Sequence, residues 1–360
     1  MTYTIKEILE KPQYQAAWRE QNLHLLQSWD WLSVKATEGW SILRLGLFPA
    51  ENADNTAIPA AVISLQVKQL PITGSSFAYV PKLKTEAWLE ASIKEQMAEI
   101  LKQKNIAFVI YEFDKSIVTL NTQGLLSYDG HIQPQQTNQV ILAKPEEQLF
   151  AELDGKYRRN IKKAQREGVT VSHYQFSSAD DNTKPIKAFY QVMQSIYAHT
   201  KFIERDSQYF QTIWNTLGAN DLARIFIAEY KNEASETEIV GAYLVVNDNQ
   251  GAYELYGGVN LKGRDVEAGY LLKWEAIRYF NNFGLKYYDH WGVAPKLADG
   301  EYDKNDELYQ ISRFKAGFGG EYVSFLQPKV QVLNRAAYTM FLLAKKAKEL
   351  QVKFKKLLKS

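Results

Sequence analysis

Three apolar runs follow one another at residues 224–230, 239–246 and 252–258, and a strongly periodic stretch at 267–283 comes next. This succession constrains the chain more than any other feature. The runs are short and bounded by polar turns, which predicts three strands. In the stretch that follows, Leu271, Leu272, Trp274, Ile277 and Phe280 recur at helical spacing, and Gly284 stands where a helix C-cap prefers glycine. A further strand is predicted at 287–291. Upstream, helices are predicted at 146–153, 156–168, 184–200 and 208–217, with a strand at 169–176. The order specifies an α+β unit around a mixed sheet.

The first part of the chain reads as a shorter version of the same scheme. The first 30 residues read as helical, and strands are predicted at 39–48 and 57–70, joined by a hairpin loop over 49–56. A helix at 84–104 and strands at 107–112 and 139–142 complete it. At 360 residues, 46% hydrophobic and 23% charged, the chain has room for two such domains and is not a disordered polypeptide.

Several chemistries are excluded. With no cysteine, there are no disulfides, thiolate metal sites or Cys nucleophile. The five histidines have no paired ligand spacing, and a phosphate-binding P-loop and a Gly-x-Ser-x-Gly elbow are both missing. His290 reads either as a general base or as a packed strand residue. The start of the chain lacks a basic-then-apolar leader, and the apolar stretch 338–344 is far too short to span a bilayer, so a cytoplasmic protein is expected.

Charge is unevenly placed. The formal net charge is +2, yet 333–360 holds eight basic residues against Glu349, which leaves the rest of the chain at −5. Six more cations fall within residues 156–166. These two basic segments suit a polyanion, or, for the tail with its interspersed Phe and Leu, an anionic membrane or simply solvent. A coenzyme A pyrophosphate loop would be sought at 264–269, but that stretch has one glycine where two small residues are wanted, and it carries Asp265 and Glu267.

Six segments together resemble the Fem family of peptidoglycan bridge-forming aminoacyltransferases: LQSWDWLSVK at 26–35, YRRNIKKAQREGV at 157–169, YELYGG at 253–258, LLKWEAI at 271–277, YDHWGV at 288–293 and ISRFKAGFGG at 311–320. The resemblance covers nearly the whole chain in the family's order. It implies two acetyltransferase-like (GNAT-type) domains, each a mixed β-sheet flanked by helices. The expected boundaries are 1–144 plus 315–345 for the first, 145–314 for the second and 346–360 for a basic helical tail. No long helical insertion fits between 169 and 224.

The implied reaction moves an amino acid from aminoacyl-tRNA to the side-chain amine of a peptidoglycan precursor peptide, UDP-linked or lipid-linked, without a cofactor or metal. Lys315 is the expected catalytic cation, flanked by Gly317, Gly319 and Gly320, which would let backbone approach a ligand; Phe314 would stack on the terminal adenine. Lys35, Asp114, Arg205, Tyr209 and Tyr256 are expected to hold the precursor, and Arg158, Arg159, Lys162 and Lys163 the tRNA. The rival readings are a coenzyme A-dependent N-acyltransferase and a non-catalytic RNA- or membrane-binding module.

Overall fold

A computed structural model describes residues 2–50, 57–71, 73–117, 124–177, 182–200 and 203–357, the side chains of 349 and 352–357 excepted. The chain forms two units, residues 1–133 with 325–360, and residues 134–324. The crossings therefore fall at 133/134 and 324/325, not at 144/145 and 314/315. The strand at the first crossing and the Lys315 helix both belong to the second unit.

Unit 1 begins with β1 (Tyr3–Glu7), α1 (Lys11–Glu20) and α2 (Trp29–Thr37). Strands β2 (Ser41–Pro49), β3 (Ala61–Gln69) and β4 (Ser76–Leu83) follow, then α3 (Ala91–Gln103), β5 (Ile106–Phe113) and the short β6 (Leu126–Ser127). The expectation of helix through the first 30 residues fails at β1, whose register along β2 supplies the hydrogen bonds that a five-residue segment cannot make alone. Of the expected hairpin loop, residues 51–56 lie outside the described residues. β4 was not foreseen because it carries Pro81, which removes a ladder donor and argues against a strand on sequence grounds.

Unit 2 takes up β7 (Gln136–Ile141), α4 (Glu146–Glu152), α5 (Gly155–Arg166), β8 (Val169–Tyr174), α6 (Thr183–Tyr197) and α7 (Ser207–Ile213). Then come β9 (Ala223–Lys231), β10 (Thr237–Asn247), β11 (Gly251–Val259), α8 (Leu261–Asp265), α9 (Ala268–Asn282), β12 (Tyr287–Gly292), α10 (Tyr309–Ala316) and β13 (Glu321–Ser324). β14 (Lys329–Val332) and α11 (Arg335–Leu357) return to unit 1.

Each unit has one seven-stranded sheet, ordered β1-β2-β3-β4-β5-β14-β6 and β8-β9-β10-β11-β12-β7-β13. Both are antiparallel except for one parallel pair, β4 with β5 and β11 with β12. In unit 1 the strand beside the parallel pair comes from the far end of the chain; in unit 2 it is the first strand of the unit.

The core of unit 2 packs α9 and α5 on the sheet through Leu271, Leu272, Ile277, Phe280, Ile161 and Ala164, all buried. Two irregularities in its centre make room for a site. The β11–β12 pairing ends at Tyr253 opposite Asp289, although both strands run on. Against β10, β11 carries a bulge at Leu255, between the pairs Leu244–Tyr256 and Val245–Glu254.

Candidate active site

Where β11 leaves β12, unit 2 opens into a cavity of about 570 Å³. Its walls are the rings of Tyr243, Tyr270 and Phe314, the glycine backbone of β11, and the first turn of α9. Gly257 is required here. Its φ is +140°, and a Cβ would stand 2.2 Å from the Ala242 carbonyl oxygen.

Glu254 and Lys273 also line the cavity, one on β11 and one on α9. Lys273 Nζ lies 2.6 Å from both Glu254 oxygens, with the two side chains 1% and 8% exposed. The Tyr288 hydroxyl donates to the same carboxylate at 2.8 Å. The rings of Tyr243, Phe314 and Phe318 surround the ammonium at 5.0, 5.5 and 5.7 Å. Burial pushes the Lys273 ammonium down, and Glu254 opposes that shift.

His290 is fully buried beside this pair, its Nδ1 3.4 Å from Lys273 Nζ. Burial first, then the charges of Lys273 and Lys315, hold it well below the ordinary histidine range, so the ring is neutral at physiological pH. Its Nε2 has no hydrogen-bond partner among the described residues. The neighbouring Asp289 accepts from Gln139 Nε2 at 2.7 Å, from the Trp291 backbone N–H at 2.7 Å and from the Thr137 hydroxyl.

Lys315 is buried on α10 and donates to the carbonyls of Gly292 and Trp291 at 2.8 and 3.3 Å. Burial pushes its ammonium down to about 8. It is thus a buried cation fixed on the end of β12, and it is Phe314 and Lys273 that line the cavity. Of the neighbouring glycines, Gly317 and Gly320 serve packing, whereas a Cβ on Gly319, at φ +80°, would have its nearest contact at 3.5 Å. A Cβ on Gly317 would stand 2.1 Å from the Tyr157 ring, and one on Gly320 2.5 Å from the Gln139 carbonyl oxygen.

Arg205, Tyr209 and Tyr256 lie together, although Arg205 precedes α7 and does not share a helix face with Tyr209 as its four-residue spacing suggested. The Asp206 carboxylate caps α7 by accepting from the Tyr209 N–H, which fixes the helix start. The hydroxyls of Tyr209 and Tyr256 are 2.8 Å apart, and the Arg205 guanidinium lies 4.9 Å from the Tyr209 ring centre. Lys35 and Asp114 belong to unit 1. Lys35 sits on α2 with its ammonium 4.8 Å from the Trp31 ring centre. Asp114, just past β5, accepts from the Ser116 N–H at 2.9 Å and closes a turn.

The four cations expected to bind tRNA differ in their surroundings. Arg158 caps the end of α4, reaching the carbonyls of Ala151 and Leu153 at 2.6 and 2.5 Å. Lys163 lies between Glu167 and Glu267, at 3.8 and 3.7 Å. Arg159 and Lys162 are exposed on α5, together with Lys156 and Arg166. Glu254 and Lys273 were not singled out from the sequence. The signal was there in the charged letters inside YELYGG and LLKWEAI, segments otherwise apolar enough to be core.

The parallel pair that parts over a cavity, and the helix that follows it, define an acetyltransferase-type fold. Residues 155–302 match the family described as an acetyltransferase (GNAT) domain. The chain is similar to the crystal structure of FemX, with a TM-score of 0.78 at 16% identity, over 94% of this chain and 99% of that one. It is 21% identical over 398 aligned positions to a lipid II:glycine glycyltransferase of Staphylococcus haemolyticus, covering 89% of this chain and 90% of that protein. Aminoacyltransferase FemA of Staphylococcus aureus is 24% identical over 119 positions, 33% of this chain and 27% of FemA. These similarities support a Fem-type aminoacyltransferase built on an acetyltransferase-type fold.

Proposed function

We propose that this protein transfers the aminoacyl group of an aminoacyl-tRNA to the side-chain amine of a peptidoglycan precursor peptide, as in interpeptide bridge formation. The observation that carries the reading is the aromatic-walled cavity of unit 2, together with what stands at its rim. A coenzyme A diphosphate would need backbone donors and cations at the start of α9. That position holds Glu267, in a left-handed conformation and paired with Lys163, a poor receptor for an anion. The terminal adenosine of a tRNA needs an aromatic face, and Phe314 offers one; such stacking is worth about 1–3 kcal/mol. The names of the curated relatives, a lipid II:glycine glycyltransferase and the aminoacyltransferase FemA, support aminoacyl transfer to a peptidoglycan precursor; the tRNA donor rests on the cavity alone.

An aminoacyl ester is already activated, so the reaction needs an approaching amine, a lost proton and a stabilised oxyanion. Placing amine and ester together in a dry pocket supplies much of the rate. In this reading Lys273, paired with Glu254 on the cavity wall, faces the place where the tetrahedral oxyanion develops, and Lys315, held on the β12 carbonyls outside the lining, adds to the positive potential; a fixed cation at such an oxygen is worth about 3 kcal/mol. Arg205, Tyr209 and Tyr256 form a polar and aromatic station for the precursor. Arg205 is suited to phosphate or carboxylate by its planar fork, and the exposed cations of α5 suit a tRNA backbone.

The test is transfer of a radiolabelled amino acid from aminoacyl-tRNA to precursor peptide. Ribonuclease treatment of the donor is expected to abolish it, and Phe314→Ala and Lys315→Ala to reduce it by about tenfold or more. Transfer that survives ribonuclease and requires an acyl-coenzyme A would replace this reading with the thioester one.

A further inference from the structure

We propose that α11 lies in the plane of an anionic membrane surface and inserts its outward apolar stripe among the acyl chains. Its purpose, access to a lipid-linked acceptor, rests on the reading above; the binding itself does not. One face of the helix is committed to unit 1. Ala337 and Tyr338 are buried, and the Phe341 ring lies 4.9 Å from Phe108 and 6.0 Å from Phe77. The Lys345 ammonium stands 4.8 Å from the Tyr128 ring centre on the same side.

Leu343 and Leu350 lie on a different face, and Met340 at its edge borders Leu70 and Pro71 in a small cleft. Met340, Leu343 and Leu350 are 41%, 64% and 58% exposed, and with exposed Ala347 they step by three, four and three along the helix. A row of that period is a single stripe, and water is a poor solvent for it.

The charges of the same helix select the partner. Lys346 and Lys348 are exposed, and from 335 to 360 the sequence has eight basic residues with Glu349 as the sole acid. Cations alone would suit RNA as well, but a ribose-phosphate backbone gains nothing from leucines. The combination of lysines and an exposed apolar row fits an anionic lipid surface. No helix among the described residues is long and apolar enough to cross a membrane, so the placement is in the interface plane.

Co-sedimentation of the full chain with vesicles tests this. Binding is expected to phosphatidylcholine mixed with phosphatidylglycerol, to weaken as salt rises, and to be negligible with phosphatidylcholine alone. Leu343→Glu with Leu350→Glu, at two exposed positions that leave the folded circular dichroism spectrum intact, is expected to weaken binding about tenfold or more. The same variant should still act on a water-soluble precursor peptide while losing transfer to precursor embedded in vesicles. Unchanged vesicle binding by this variant, or no binding to anionic vesicles, overturns the proposal. So does a helix that serves tRNA instead, seen as tRNA affinity lost in Lys346→Glu with Lys348→Glu while vesicles are ignored. Vesicle binding without any aminoacyl transfer would uphold this surface and remove the reaction assigned above.

Discussion

Breaking the Glu254–Lys273 pair one partner at a time should cost far more than removing it whole. In Lys273→Met the Glu254 carboxylate stays buried at 8% exposure, with the Tyr288 hydroxyl its remaining hydrogen-bond partner among the described residues. In Glu254→Gln the ammonium keeps His290 Nδ1 at 3.4 Å and three aromatic faces. Leaving a buried charge unpaired costs about 3–5 kcal/mol, whereas replacing both charges by neutral groups of similar volume is close to neutral. The double variant Glu254→Gln/Lys273→Met should therefore be more stable than either single one, with a coupling of about 3 kcal/mol or more. The pH dependence adds a check. Without Glu254, burial alone acts on Lys273 and lowers its folded pKa further below the unfolded value. Glu254→Gln should then gain stability as pH rises through that interval, because the unfolded chain keeps a proton that the folded one has shed. Guanidinium unfolding of the four proteins, followed by hydrogen exchange in unit 2 peptides, gives the cycle. Costs that simply add, or single variants within about 1 kcal/mol of the parent, would refute the reasoning.

Three further outcomes are expected. Lys315, with its ammonium lowered to about 8 from 10.5, makes the folded state gain stability as pH rises from about 8 toward 10.5, by about 3 kcal/mol; Lys315→Met should lack that rise in a pH series of denaturation curves. Gly320→Ala, at φ +92° and 2.5 Å from the Gln139 carbonyl oxygen, should destabilise unit 2 by about 1–3 kcal/mol, measured by thermal unfolding, and lower transfer by loosening the segment after α10. Arg159→Glu with Lys162→Glu should weaken tRNA binding and flatten its salt dependence in filter-binding titrations, whereas Arg158→Ala should show instead as lost stability, because its guanidinium caps α4.

What could be read in advance divides along physical lines. The strands at 224–258 and the helix through Leu271 and Phe280 were legible because a half-buried strand and an amphipathic helix impose a period on their own residues. β1 and β4 escaped because they are defined by partners: five residues paired to β2, and a strand that tolerates Pro81. The unit boundaries were displaced for the same reason, since nothing within 136–141 announces that β7 pairs with β12 and β13. At the site, letter patterns led to Phe314, Lys315 and the Arg205–Tyr209–Tyr256 cluster. They did not distinguish a lysine that lines the cavity from one turned onto carbonyls, because that depends on how α10 seats against Tyr157 and β7. Glu254 and Lys273 were missed because apolar periodicity is scored by skipping charged letters, and a buried ion pair consists of the letters skipped.

The divided make-up of unit 1 bears on how the polypeptide matures. β14 lies between β5 and β6, with Val330 wholly enclosed, yet it is translated only after all of unit 2. A nascent chain can thus complete the 134–324 lobe while the flank of β5 still waits, unpaired, for its neighbour. During that interval β5 is an open edge of apolar sequence, the kind of surface that recruits chaperones or a neighbouring nascent chain. Release of a chain cut after Ser324 should therefore yield one sound lobe tethered to an aggregating one.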